Sequence, residues 1–182
     1  MLLRRALFSP LHLRFQRRFL AETSDDVLAT SLRDIARSGA RVMELQLRNS
    51  NDLVCHQLMC EFVGDACICR LSLALERVPR LQHLDLSHNQ LRALPDAVYT
   101  LQNLKTLNVQ ENQLTILSTD VEKLMDLETL DVQYNKLKTL PVKQLETLTK
   151  LKTLRVVGNF ELIEQLETLK MSKQLKEKII VE

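Results

Sequence analysis

The residue types best suited to chemistry are concentrated in one short stretch. Cys55, Cys60, Cys67 and Cys69 lie within fifteen residues, and His56 follows the first of them. Thiolate and imidazole groups are preferred zinc ligands, but the spacing C-x4-C-x6-C-x-C contains no C-x-x-C pair. We therefore expect these cysteines to pack as small apolar side chains, with a metal or redox cluster as the alternative.

His83, Asp85 and His88 form a second group, which could act as a metal or acid–base set. No nucleophile stands at a meaningful spacing from them, and surface histidines are the simpler interpretation. Asp85 and Asp131 occupy equivalent positions two units apart in a repeated sequence. Strands stacked at about 4.8 Å would separate them by about 10 Å, too far for paired-carboxylate catalysis. The sequence predicts no catalytic residue, no metal ligand and no cofactor, and hence no enzyme.

The elements that position these residues belong to a repeat. The pattern Leu-x-x-Leu-x-Leu-x-x-Asn-x-Leu starts at Leu81 and recurs, with Val in place of the third Leu in later copies, from Leu104, Leu127 and, more loosely, Leu151. Its four asparagines are 23, 23 and 24 residues apart: Asn89, Asn112, Asn135 and Asn159. A fixed period of this length is typical of stacked repeats, which build binding surfaces more often than active sites.

The repeat resembles the leucine-rich repeat family over residues 81–159 and, weakly, over 42–53. Leu94-Pro95 and Leu140-Pro141 make it similar to the 23-residue intracellular class found in Ras-pathway scaffold proteins, whereas Ile116-Leu117-Ser118 lacks the proline. The resemblance implies an α/β solenoid with a curved parallel sheet on its concave face and helical caps at both ends. It also implies that a protein partner binds on that concave face.

Alternation along each strand separates the core positions from those that face a partner. In the second regular repeat, Leu107 and Val109 point into the core and Asn108 and Gln110 point away from it. The asparagine ladder (Asn89, Asn112, Asn135 and Asn159) is expected to bond backbone groups of adjacent repeats. The candidate partner-binding residues are Asp85, Ser87, His88, Asn108, Gln110, Glu111, Asp131, Gln133, Tyr134 and Arg155.

Four regions are predicted along the chain: a transit peptide at 1–19, an N-terminal helical cap with a degenerate first repeat at 20–80, regular repeats at 81–158 and a C-terminal capping helix at 159–182. In the N-terminal cap we expect a helix over 21–41, begun by Thr23, Ser24 or Asp25 and ended by Ser38-Gly39. A strand follows at 42–47. The next segment has mostly helical spacing, with a break at Gly64-Asp65, and a short strand over 68–73 is the alternative.

The N-terminal segment is basic. Five arginines precede the first acidic residue, Glu22. This composition is typical of a mitochondrial transit peptide; a basic N-terminus on a cytosolic protein is the alternative. Removal of residues 1–19 would remove five positive charges and no negative ones and change the formal net charge from +2 to −3. An acidic product argues against a nucleic-acid partner.

We therefore predict a non-catalytic protein–protein interaction module in the mitochondrial matrix, as a monomer or as a subunit of a larger complex. The alternatives are a cytosolic signalling adaptor or phosphatase regulatory subunit, and a structural subunit of a mitochondrial ribosome or respiratory assembly. No stretch reaches the roughly 18–20 apolar residues needed to span a bilayer.

Overall fold

The computed structural model describes residues 26–55 and 68–181. The predicted transit peptide, the break at Gly64-Asp65, and Cys60 and Cys67 lie outside these residues. The described strands are β1 Val27–Ala29, β2 Val42–Gln46, β3 His83–Asp85, β4 Thr106–Asn108, β5 Thr129–Asp131, β6 Thr153–Arg155 and β7 Ile179–Ile180. The α-helices are α1 Leu32–Ser38, α2 Ile68–Leu75, α3 Val142–Thr147, α4 Phe160–Leu166 and α5 Lys173–Lys178. Short 3-10 helices cover Gly39–Arg41, Asn51–Leu53, Asp96–Thr100 and Thr119–Lys123.

The seven strands form one parallel sheet in which the spatial order is the order along the chain. Each repeat adds one strand beside the previous one, and the connecting segment returns along the other side of the sheet. Strands β3 to β6 pair without a shift in register. The prediction of an α/β solenoid of leucine-rich repeats is confirmed.

The core lies between the sheet and the returning segments. Leu84, Leu107, Leu130 and Leu154 stand side by side on adjacent strands and are at most 1% exposed. Burial of a leucine side chain contributes roughly 1.5–3 kcal/mol, so this shared row holds neighbouring repeats together. Because these side chains point inward, the alternate strand residues form the opposite, polar face of the sheet.

The N-terminal cap differs from the predicted helix over 21–41. Val27–Ala29 form a strand, and the helix begins only after Ser31, whose Oγ accepts a hydrogen bond from the Asp34 amide at 3.2 Å. Ser31 therefore acts as the N-cap of this helix, and the predicted caps Thr23, Ser24 and Asp25 lie outside the described residues. The predicted end is right: Gly39 follows the helix with a φ of 52°.

In the following segment the two interpretations of residues 68–73 are resolved. They lie in helix α2, which buries Leu71 and Leu75 in the core, so the strand alternative is wrong. Apolar residues at a spacing of four place both leucines on one helix face.

The prediction of a single C-terminal capping helix is also wrong. Two short helices, α4 and α5, are followed by strand β7, which extends the sheet beside β6. Ser172 starts α5 by accepting a hydrogen bond from the Leu175 amide at 3.3 Å. The isoleucines of β7 then supply β-branched side chains where helix α5 ends. None of the helices in residues 26–55 and 68–181 combines the length and the hydropathy that a membrane-spanning segment requires.

Candidate partner-binding surface

The turn after each strand is held by the asparagine ladder. Asn112 Nδ2 donates to the carbonyl oxygens of Leu86 and Val109 at 2.9 and 3.0 Å, and its Oδ1 accepts from the Leu91 amide at 3.0 Å. Asn135 and Asn159 make the equivalent bonds one and two repeats later, and Asn89 does so toward the first repeat. The ladder satisfies backbone groups that the tight bends would otherwise leave buried without partners.

A second row of side-chain bonds was not foreseen. Oδ1 of Asp85, Asn108 and Asp131 accepts from the backbone amide two residues later, at 2.8, 3.1 and 3.1 Å respectively. In these three candidate binding residues, Oδ1 is therefore already hydrogen-bonded to the backbone that follows the strand. The recurrence of Asp or Asn two residues before the turn was the available signal, because these residues cap turns in this way.

Two candidate binding residues are buried, which corrects the assignment from the sequence. Ser87 is fully buried, and Asp131 is 5% exposed. The equivalent positions of the other repeats are Arg48, Gln110, Gln133 and Val157, and serine has the shortest side chain of this set. Asp131 lies beneath the Arg155 guanidinium, with Nη1 and Oδ2 3.4 Å apart. Neither residue offers its side chain to a partner, and within the described residues the Ser87 hydroxyl has no hydrogen-bond partner.

The next row of the polar face has a special backbone. Its residues adopt left-handed φ angles of 47–75° in every repeat: Asn49, His88, Glu111, Tyr134 and Gly158. Such angles cost a residue with a Cβ about 1–2 kcal/mol and fix the direction of its side chain. Asparagine and glycine at the two ends of the row were the sequence signal, since both tolerate this conformation.

Part of this row is internally bonded. Arg48 Nη2 lies 2.6 Å from His88 Nε2, and His88 Nδ1 lies 2.7 Å from Glu111 Oε2. A guanidinium can only donate, so Nε2 accepts and Nδ1 donates, which defines the tautomer of the ring. Both ring nitrogens are thus engaged, and His88 is not available for an acid–base set with His83 and Asp85.

The C-terminal end of the polar face contains exposed apolar and aromatic side chains. Tyr134 is 54% exposed, and its ring lies against Gly158, where an added Cβ would be 2.9 Å from Tyr134 Cε1. Val157 is half-buried beside it, and Ile180, 40% exposed, extends the row that contains Arg155. We call Tyr134, Val157, Ile180 and Arg155 the end patch.

The part of the face formed by β2, β3 and β4 is polar. A depression of about 340 Å³ is lined by Glu44, His83, Asp85, Thr106 and Asn108, among others. Gln110 and Gln133, half-buried, lie between this depression and the end patch. Along the rim where the strands start, Lys152 donates to Glu128, and this hydrogen bond holds the pKa of the Glu128 carboxyl below its usual value. The middle of the face is therefore polar, and exposed apolar side chains lie toward both ends: Leu28, 50% exposed beside Glu44, and the end patch.

The described part of the cysteine group is split between two environments. Cys55 is buried in the core side of the first repeat, and Cys69 is exposed on α2. Within residues 26–55 and 68–181, no three residues of the types His, Cys, Asp and Glu come together as a metal site.

Comparison with known proteins points to one family. The sequence matches two family models, "Leucine Rich repeats (2 copies)" over residues 79–124 and "Leucine rich repeat" over residues 102–160. Among curated proteins, no sequence matches the chain.

Two solved structures are similar to this chain. A leucine-rich repeat protein of Leptospira interrogans is 26% identical, with a TM-score of 0.55 over 77% of this chain. The leucine-rich repeat domain of the type III effector XopL is 23% identical, with a TM-score of 0.48 over 78% of this chain. The chain spans 30% of the length of the first structure and 53% of the second. Together with the register of the sheet and the asparagine ladder, the two family models identify residues 79–160 as leucine-rich repeats.

Proposed function

We propose that this protein is a non-catalytic interaction module that binds a protein partner on its polar sheet face, with the end patch as the centre of contact. Leucine-rich repeat domains generally mediate protein–protein interaction and are typically non-catalytic. The observation that carries the proposal is Tyr134, an exposed aromatic side chain on a backbone of fixed geometry.

Tyr134 has the features of a binding anchor. Its left-handed backbone and the bare surface of Gly158 hold the ring in place before any partner arrives, so little conformational entropy is lost on docking. Arg155 lies in the adjacent strand with its side chain 48% exposed. Tyrosine and arginine are over-represented among residues whose truncation costs most of the binding energy.

The surrounding candidates have graded roles. Glu111 and His88 are accessible but bonded to each other, so they contribute shape and charge at the margin of the contact. Asp85, Asn108, Gln110 and Gln133 are half-buried and present only part of their side chains. Ser87 and Asp131 support the surface from beneath and make no direct contact.

Quantitative affinity purification with mass spectrometry tests the binding surface. We expect proteins recovered with the wild type to be lost, by about tenfold or more, with a Tyr134→Ala, Arg155→Ala double variant. The matched control is Lys143→Ala, an exposed residue of α3 on the opposite side of the sheet. Identical partner lists for the wild type and the double variant would contradict the proposal.

The cellular location is part of the proposal. Support for import into the mitochondrial matrix comes from the five arginines that precede the first acidic residue. A fluorescent protein fused to residues 1–30 should enter mitochondria, and a variant with these arginines changed to glutamine should not. Retention of the unaltered fusion in the cytosol would refute the import proposal and leave the binding surface untouched.

A further inference from the structure

Helices α1 and α2 leave a groove between them on the side of the sheet opposite the polar face. Its floor contains Ile35 and Ala74, which are 1% and 8% exposed. Ala36 also lines the groove, and its small side chain leaves the groove open. Leu73 stands on the rim and is 66% exposed. The groove has a volume of about 200 Å³. Drug-sized ligands occupy pockets of roughly 300–1,000 Å³, so this groove suits one or two side chains of a larger partner.

The rim of the groove is positively charged. Arg70 and Arg77 line it from the α2 side, and Arg33 and Arg37 are exposed on α1. None of these four arginines forms an ion pair with any residue in 26–55 or 68–181.

Two acidic groups close to α1 in the chain are already engaged, whereas Glu76, next to Arg77, is exposed. Asp34 Oδ2 accepts from the Ser31 hydroxyl at 2.8 Å and from the Thr30 amide at 3.2 Å. Asp52 Oδ2 accepts from the Leu32 amide at 2.7 Å. The Asp34 and Asp52 carboxylates stabilise the start of α1 instead of neutralising the arginines, so the rim keeps a net positive charge even with Glu76 counted.

The rim and floor residues follow a helical spacing. Arg70, Leu73, Ala74 and Arg77 are at positions i, i+3, i+4 and i+7, which lie along one side of α2 and the turn after it. The two arginines are therefore roughly 10 Å apart along the helix axis, with apolar surface between them. A complementary helix would present two acidic residues two turns apart and apolar residues between them.

We propose that this groove is a second docking site, which binds an acidic amphipathic helix of a protein partner. Helices commonly bind to other proteins by laying an apolar stripe into a groove of this kind. Charge complementarity selects the acidic class. The chain's own residues 1–20 are a poor occupant, because they contain five arginines and no acidic residue.

Other anionic partners fit less well. A nucleic acid would place phosphates over an exposed leucine and an apolar floor, with few cations available for the many phosphate contacts that affinity requires. A membrane would reach Leu73 but not the recessed floor at Ile35. Both are outcomes that the experiment distinguishes.

The test is selection of displayed helical peptides on the full-length protein, with counter-selection on the double variant Arg70→Glu, Arg77→Glu. We expect the surviving peptides to carry acidic residues seven positions apart, with leucine or a similar residue three or four positions after the first. Fluorescence anisotropy should show that the selected peptide binds the double variant at least about tenfold more weakly than it binds the wild type. A peptide with both acids changed to lysine should recover binding to the double variant.

Matched variants define the site. Arg92→Glu changes an exposed arginine outside the groove and should leave peptide binding unchanged, whereas Leu73→Asp should reduce it. Tyr134→Ala should also leave it unchanged, which separates this site from the polar face. Survivors without the acidic pattern, or equal binding by the wild type and the charge-reversed protein, would overturn the proposal. A third result would also overturn it: no peptide is selected, and the wild type binds anionic phospholipid vesicles or duplex DNA whereas the Arg70→Glu, Arg77→Glu variant does not.

Discussion

At Asn112 one side-chain amide serves backbone groups of two successive repeats. Changing it to alanine leaves the buried Leu91 amide without an acceptor and removes a donor from the Leu86 and Val109 carbonyls. An unsatisfied buried backbone group costs about 1–3 kcal/mol, so we expect Asn112→Ala to lower the free energy of unfolding by roughly 2–4 kcal/mol. Urea denaturation monitored by circular dichroism measures the change.

The matched control is Asn103, an exposed asparagine whose Nδ2 makes one bond, to the Pro79 carbonyl at 3.0 Å. Asn103→Ala should cost less than about 1 kcal/mol, because water replaces the lost bond. Equal losses at the two positions would show that the asparagine ladder does not carry the stability assigned to it.

Two left-handed glycines allow backbone strain and crowding to be measured separately. Gly39 has a φ of 52° and nothing within 4 Å of an added Cβ, whereas at Gly158 that Cβ would meet the Tyr134 ring. We expect Gly39→Ala to cost about 1–2 kcal/mol from the backbone alone, and Gly158→Ala roughly 2–4 kcal/mol. In a Tyr134→Ala background the cost at Gly158 should fall toward that at Gly39. A cost at Gly158 that is unchanged by removal of the ring would contradict the contact described here.

The free energy of unfolding is expected to depend on pH in the alkaline range because of the buried Tyr99 hydroxyl. Burial raises the pKa of its hydroxyl from 10.0 to about 12; a backbone hydrogen bond from Ser118 opposes the rise, and the Asp120 and Asp96 carboxylates add to it. Between these values the unfolded chain releases the proton before the folded one, so stability present below pH 10 is lost as pH rises toward 12. The loss should be roughly 2–3 kcal/mol and absent in Tyr99→Phe, measured by urea denaturation at several pH values. Tyr134→Phe should retain the full loss.

At the level of single residues, the alternation of side chains was predictable and their exposure was not. Asp85 and Asp131 were predicted to occupy equivalent positions, and the strand pairing Asp85–Asn108–Asp131 confirms this, because a period of two and a fixed repeat length determine it. The burial of Asp131 depends on the reach of Arg155 in the next repeat. Such lateral contacts are between residues 24 positions apart and have no local signal.

Among the segments that connect the strands, the one that lacks the proline begins with a side-chain hydrogen bond. Pro95 and Pro141 precede their segments without a side-chain cap, whereas Ser118 Oγ accepts from the Asp120 amide at 3.1 Å. We expect Ser118→Ala to destabilise the protein by about 1 kcal/mol, as for other lost N-caps. Ser38→Ala is the control, because Ser38 precedes a 3-10 helix without a side-chain bond and should change stability by less than about 0.5 kcal/mol. Similar values at both serines would refute the capping role.

The regular repeats were predicted correctly and both caps only in part, for a physical reason. Leu107 and its equivalents face the same neighbours in each repeat, so the pattern alone specifies a strand. In the caps, Val27 and Ile179 have spacings compatible with a helix, but each lies beside an unpaired edge of the sheet. Pairing with β2 and β6 satisfies those edges, and this tertiary gain outweighs the local preference.

Across the whole molecule, each strand pairs only with its sequence neighbours. Stability is therefore close to a sum of repeat terms and nearest-neighbour terms, and the ends are the parts most able to open locally. The C-terminal cap is one such end, since β7 pairs with β6 and its far edge has no strand among the described residues. The end patch includes Ile180, so local opening there would also remove part of the proposed binding surface.

This architecture predicts different responses to the same substitution at the centre and at the end. Leu107 and Leu175 are 0% and 2% exposed, and replacement of either by alanine leaves a cavity that costs about 2–5 kcal/mol. In Leu107→Ala we expect faster amide hydrogen exchange through all the central strands, because the cavity weakens two repeat interfaces at once. In Leu175→Ala the acceleration should be confined to residues 160–181, because α5 and β7 can detach while β3 to β5 remain paired. Uniform acceleration in both variants would mean that the stack unfolds as a single unit and that the cap has no independent opening.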